Sequence, residues 1–162
     1  MLRISKLTDY GTLVLSQLAA EPHRMLSASE LAGRLRLAQP TVSKVLKTLA
    51  RHGLVRAERG ARGGYALSRA AGEISLAQIV DALEEQPFGL TECSANNGLC
   101  DFEANCRVRV NWQRVNATLR RSLQAITLAD MVQPVGSPVG HEVSRNGTVF
   151  PSQAAITWSS GK

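Results

Sequence analysis

The sequence predicts a mainly α-helical chain with one small β-hairpin, arranged as a winged helix-turn-helix followed by a long dimerisation helix. Three features predict it. Two short amphipathic segments, "SASELAGRLRL" from Ser27 and "QPTVSKVLKTLARHG" from Gln39, are separated by a brief break at Leu37-Ala38. Two extended runs, Leu54 to Glu58 and Gly64 to Leu67, then flank a turn rich in Gly and Arg. Further on, Trp112, Val115, Leu119, Leu123 and Ile126 recur at helical spacing over about four turns. With 162 residues the chain can build one domain with a sizeable core, plus an appendage.

Each element has a local reason. Leu7, Tyr10, Val14 and Leu18 repeat at helical spacing, so the first helix runs to about Glu21-Pro22. Ser27 and Glu30 have the spacing of a capping box, in which hydroxyl and carboxylate each satisfy an orphan amide at the start of a second helix. In the third, Pro40 suits the first turn, where no amide hydrogen is needed, and Gly53 supplies a left-handed stop. Val42, Val45, Leu46 and Leu49 form its inward stripe, while Thr41, Ser43, Lys44, Lys47, Thr48 and Arg51 form an opposite face free of acids. The hairpin tip presents Arg59 and Arg62. Ser75 and Gln78 start a fourth helix with Leu76, Ile79, Val80 and Leu83 on one side, closed by Pro87. The long helix spans about Val108 to Ala125; its single apolar stripe can pack within the chain or against a symmetry mate. Thr127 opens a last short turn. The expected organisation is therefore a DNA-binding domain over 1–86, a cysteine segment over 87–106, a long helix and closing turn over 107–133, and a disordered Pro/Gly/Ser-rich tail over 134–162.

Charge divides along the same lines. Met1 to Gly72 has twelve Lys/Arg against four Asp/Glu, whereas Glu73 to Cys106 has seven acids and no Lys or Arg. A basic first half suits a polyanion, and the acidic segment would repel one. No apolar run is long enough to span a membrane, and the opening "MLRISKLTDYG" lacks the apolar stretch of a secretory signal. A cytoplasmic location with reduced thiols is expected. No nucleophile–base pair is legible, since His23, His52 and His141 are isolated, and "GARGG" lacks the spacing of a phosphate-binding loop. The chain does not read as an enzyme.

All three cysteines fall in "CSANNGLCDFEANC", Cys93 to Cys106. Buried thiols would need a core that Ser, Asn and Gly do not offer. Structural zinc pairs cysteines at gaps of about two to four residues. Here the gaps are six and five, and no His lies between His52 and His141. An iron–sulfur cluster, larger than one ion, tolerates wider spacing. Spacing leaves these three readings open.

The opening "RISKLTDYG", the wing "RGARGGYALS", the helix "ISLAQIVDALEE", the Cys93-Cys100-Cys106 segment and the close "TLADMV" together resemble the IscR/NsrR-type winged-helix regulators, the Rrf family. The likeness is nearest to the branch that regulates SUF-system iron–sulfur assembly and covers about Met1 to Val132. It implies a homodimeric regulator of transcription that binds double-stranded DNA, pairs through the long helix, and holds an iron–sulfur cluster, [2Fe–2S] or [4Fe–4S], on Cys93, Cys100 and Cys106. The fourth ligand departs from one pattern and matches another. IscR-like members carry a His three residues after the last cysteine, where this chain has Arg109, a permanent cation. NsrR-like members use an acid at the start of the first helix, where this chain has Asp9. A carboxylate in a helix first turn is also favoured simply by the macrodipole.

For DNA, the recognition helix offers Thr41, Ser43, Lys44 and Lys47, with Gln39 and Pro40 at its leading end. The hydroxyls suit base edges and the lysines phosphates. Arg59 and Arg62 suit the adjacent minor groove. A nitric-oxide- or redox-responsive repressor on the same scaffold is the alternative reading.

Overall fold

The computed structural model describes residues 4–60, 63–84, 89–91 and 106–133. Among these residues the helices are α1 (Lys6–Ala20), α2 (Ala28–Leu35), α3 (Gln39–Arg51), α4 (Leu76–Leu83), α5 (Arg109–Ala125) and α6 (Leu128–Met131). Strands β1 (Val55–Glu58) and β2 (Gly64–Leu67) lie between α3 and α4, and a 3₁₀ turn, Ala71–Glu73, precedes α4. This is the mainly helical chain with one antiparallel hairpin that the sequence predicts.

Local chemistry accounts for the helix starts. The Ser5 hydroxyl accepts from the Thr8 amide at 3.2 Å and opens α1. Ser75 and Gln78 complete a capping box before α4, and Thr127 and Asp130 do the same before α6. At α2 only half of the expected box forms. The Ser27 hydroxyl accepts from the Glu30 amide at 3.1 Å, but the Glu30 carboxylate accepts from Arg24 and Arg34 instead. Glu21, Arg24, Glu30 and Arg34 thereby close a ring of ion pairs between the end of α1 and α2, and two guanidiniums outcompete one backbone amide for the carboxylate.

Val14, Leu15 and Leu18 of α1, Leu31 of α2, Val42, Val45, Leu46 and Leu49 of α3, and Ile79 and Leu83 of α4 bury into one cluster. Sheet register pairs Val55 with Leu67 and Glu58 with Gly64. The segment before α2 joins this hairpin: the Leu26 amide donates to the Tyr65 carbonyl at 3.0 Å, and the Leu26 carbonyl accepts from the Tyr65 amide at 2.8 Å. That approach needs glycine at 64, where a Cβ would stand 2.9 Å from Leu26 backbone. Helix α1 meets α4 as closely, for a Cβ at Gly11 would overlap the Leu83 side chain at 2.2 Å.

The C-terminal end of helix α5 is joined to the segment before α4. The Leu76 amide donates to the Ile126 carbonyl and the Leu128 amide to the Ile74 carbonyl, each at 2.8 Å, and Leu128 is fully buried in the core. Arg120 adds a two-pronged ion pair to Asp81 of α4, at 2.9 and 2.5 Å. Near its start the apolar residues face outward. Val108, Val110, Trp112 and Val115 are 41–57% exposed.

Candidate nucleic-acid interface

Helix α3 is held rigidly from below. Its four inward residues, Val42, Val45, Leu46 and Leu49, have no exposed surface, so the opposite face is presented at a fixed angle. On that face Gln39, Pro40, Lys44 and Lys47 are exposed, with Thr41 and Ser43 half-buried beside them. Pro40 sits in the first turn, as its ring requires, and Ala38 caps the helix with no side-chain hydrogen bond. No acid occupies the first turn. Neither lysine is in an ion pair with a described residue, so both charges are available to a ligand. Arg51, by contrast, folds back on the Lys47 carbonyl and the Thr48 hydroxyl.

Arg59 is exposed at the end of β1, before the turn in which the Gly63 amide donates to the Gly60 carbonyl at 3.0 Å. Gly60 has φ +117°, and a Cβ at Gly63 would lie 2.3 Å from the Glu58 carbonyl oxygen. Both glycines are therefore demanded by the tight wing. The structure thus places seven of the eight sequence-predicted DNA residues on α3 and the wing, with Arg62 outside the described residues.

A second group gathers around the start of α1. The Glu84 carboxylate, just beyond α4, accepts from the Ser5 amide at 3.0 Å and from the Thr8 hydroxyl at 2.6 Å. Burial works against this carboxylate. The hydrogen bonds from Thr8 and Ser5 outweigh it and hold its pKa below the ordinary glutamate value. Asp9 follows Thr8 but is exposed, and its carboxylate has no partner among the described residues. With Ile4, Lys6, Leu76 and Met131 it lines an open cavity of about 540 Å³. Sequence reasoning missed Glu84, because a Glu near a helix end reads as a solvated acid until α1 is packed against it.

Of the three cysteines, Cys106 is a free, half-buried thiol three residues before α5 begins. Cys93 and Cys100 lie outside the described residues, as do Pro87 and the expected tail from Pro134. Among the described residues no group of three or more His, Cys, Asp or Glu converges on a common point, and no helix is long and apolar enough to cross a membrane.

Comparison with known proteins places this geometry. The Rrf2 family model, described as an iron-dependent transcriptional regulator, matches residues 4–134. The chain is 33% identical over 131 residues to slr0846 of Synechocystis, named as a candidate helix-turn-helix-type transcriptional regulator, covering 80% of this chain and 87% of that protein. Among solved structures it is similar to CymR, the global cysteine regulator of B. subtilis, with TM-score 0.65 and 26% identity over 82% of this chain and 97% of CymR. It is also similar to IscR of T. potens, with TM-score 0.61 and 29% identity over 81% of this chain and 86% of IscR.

Proposed function

The chain belongs to the Rrf2 family of iron-dependent transcriptional regulators, and from that premise we propose that it is an iron–sulfur-sensing, DNA-binding homodimer that tunes genes of SUF-type cluster assembly. The family is one of transcriptional regulators rather than enzymes, and its winged helix is a DNA-binding fold. The observation that carries the DNA reading is the face of α3, where Lys44 and Lys47 stand exposed and unpaired on a helix whose other side is wholly buried. Thr41 and Ser43 reach base edges from the same face, Gln39 and Pro40 lead it into the major groove, and Arg59 and Arg62 follow the wing to the flanking minor groove.

The donor set favours a cluster over the alternatives. CymR and IscR share this fold, so the fold alone leaves the signal open, and the cluster reading rests on this chain's three cysteines within fourteen residues. Cys106 is a free thiol, Arg109 cannot coordinate, and the Asp9 carboxylate is exposed and unpartnered. Cys93, Cys100 and Cys106, with Asp9 as fourth donor, fit a [2Fe–2S] or [4Fe–4S] cluster. Such a group supplies iron that changes oxidation state and ligation. An oxygen ligand at Asp9 favours a second reading, a nitric-oxide- or redox-responsive repressor, because carboxylate holds iron less firmly than thiolate.

The rest of the mechanism lies in the chain's own residues. Three thiolates repel one another and the nearby Glu92, Asp101 and Glu103, so the segment needs a counter-charge to close. Cys106 leads directly into the end of α5 that lacks the Ile126–Leu76 and Leu128–Ile74 stitches. The exposed Val108, Val110, Trp112 and Val115 there suit pairing with a second α5. Order in the cysteine segment then bears on how far apart two copies of α3 stand, and successive major grooves require about 34 Å. On this reading residues 1–86 bind DNA, 87–106 sense, and 107–133 pair.

The test is anaerobic purification with visible absorption and iron and sulfide analysis, repeated for Cys100→Ala. A brown protein holding iron and sulfide, with the colour lost in the variant, supports the reading. A colourless wild type that holds zinc stoichiometrically overturns it, as does equal DNA affinity with and without the cluster.

A further inference from the structure

Between α2 and α3 the backbone turns on Arg36, which has φ +54° and ψ +38°. Among the described residues it is the one non-glycine residue with positive φ. The turn itself is well made. The Arg36 amide donates to the Gly33 carbonyl at 3.4 Å and the Leu37 amide to the Ala32 carbonyl at 3.1 Å, which closes the end of α2. Glycine, or asparagine, is the residue this conformation favours, because a Cβ crowds the following carbonyl. A long cation has been placed where the backbone prefers none.

Nothing within the described residues uses that cation. Arg24, before α2, and Arg34, in its last turn, are both bound into the ring with Glu21 and Glu30. Arg36, two residues beyond Arg34, is exposed and has no ion pair or side-chain hydrogen bond. It stands three residues before Gln39, the first residue of α3, so its Cα lies within about 10 Å of the leading end of the recognition helix. The nearest exposed charges along α3 are Lys44 and Lys47, with no acid in the first turn to compete for it.

We propose that Arg36 is a DNA-phosphate clamp, set by its left-handed backbone beside the groove that α3 enters, so that it fixes the register of the helix on the duplex. This rests on the DNA-binding reading and adds a residue to it. A guanidinium suits the role better than an ammonium, since its planar fork grips two phosphate oxygens at once. A purely structural account also exists: a cation at the end of α2 complements the helix dipole there. The two accounts predict different measurements.

The experiment is salt-dependent binding of the intact protein to a mixed-sequence 30-base-pair duplex, with thermal unfolding in parallel. Each phosphate contact contributes about 0.9 to the slope of log K against log salt. In Arg36→Gly the slope falls by about 0.9 for each protomer on the duplex, making the loss of affinity between 50 and 200 mM salt about 3.5-fold smaller per protomer. The melting temperature holds or rises, since glycine relieves the backbone. Arg36→Lys keeps the wild-type slope, and Arg36→Asn repeats the glycine result with a side chain that tolerates the turn. A wild-type slope in Arg36→Gly and Arg36→Asn overturns the clamp, whatever the melting temperature does. Lys44→Ala separates the two levels: a lowered slope there beside an unchanged one for Arg36 sinks only the clamp. A wild-type protein with no salt-dependent DNA binding sinks the underlying reading and the clamp together.

Discussion

Helices α3 and α5 are both amphipathic, yet the fold treats them oppositely. Val42, Val45, Leu46 and Leu49 on α3 are completely buried, and beyond Pro40 its exposed face is polar and cationic. On α5 the one buried side chain is Asn116, while Val110, Trp112 and Val115 stay substantially exposed. The difference teaches where each helix gets its stability. A helix of this length gains little from propensity alone and depends on packing its apolar stripe. Helix α3 finds that packing within its own chain, whereas no apolar residue of α5 is buried there.

The sharpest way to break this contrast is to truncate one large apolar side chain on each helix. Leu46→Ala, in the closed core, should cost about 2–5 kcal/mol in urea unfolding. A loss below about 1 kcal/mol would mean that α3 is not anchored as described. Trp112→Ala on α5 should leave protomer unfolding nearly unchanged but weaken self-association by about tenfold or more, read by sedimentation. A large fall in protomer stability without change in assembly would instead place the Trp112 ring inside its own protomer.

The smallest effect concerns the joint between the two regions. Glu84 ends α4, directly before the cysteine segment, and binds the first turn of α1. Its folded pKa lies below the unfolded value, so its contribution is fully present above the unfolded pKa, about 4.3, and is lost as pH falls through the folded value. Glu84→Gln should therefore lower stability at pH 7 and flatten the decline below about pH 4.5, with the two proteins converging in acid. Parallel stability curves from pH 7 to pH 3 would show that the carboxylate charge plays no part in the joint.

Much of this was legible in one dimension, and particular residues show why. Ser75 with Gln78, Pro40, Gly53 and the stripe from Val42 to Leu49 all act within one or two turns of backbone, where hydrogen bonding and periodicity are set by neighbours in the chain. The hairpin was legible for the same reason, since Gly60 and Gly63 answer to a turn a few residues wide. For the site, the acid-free face of α3 could be read from spacing alone. The exposed half of α5 could not be told from a packed one, because a stripe of Trp112, Val115, Leu119 and Leu123 looks the same whether covered or bare.

By itself, then, the amino-acid order determined the helices, their caps, the wing and the cationic face, all products of short-range chemistry. Tertiary structure alone decided that Glu84 would bind Thr8 across 76 residues, that Glu30 would turn from its cap to Arg24 and Arg34, and that the far end of α5 would be stitched to the segment before α4. It also decided that Arg36 would carry the left-handed turn, since the angle at which α2 meets α3 is set by the core both helices bury. Such pairings depend on which elements meet in space, and a carboxylate or guanidinium carries no local mark of the partner that packing will bring to it.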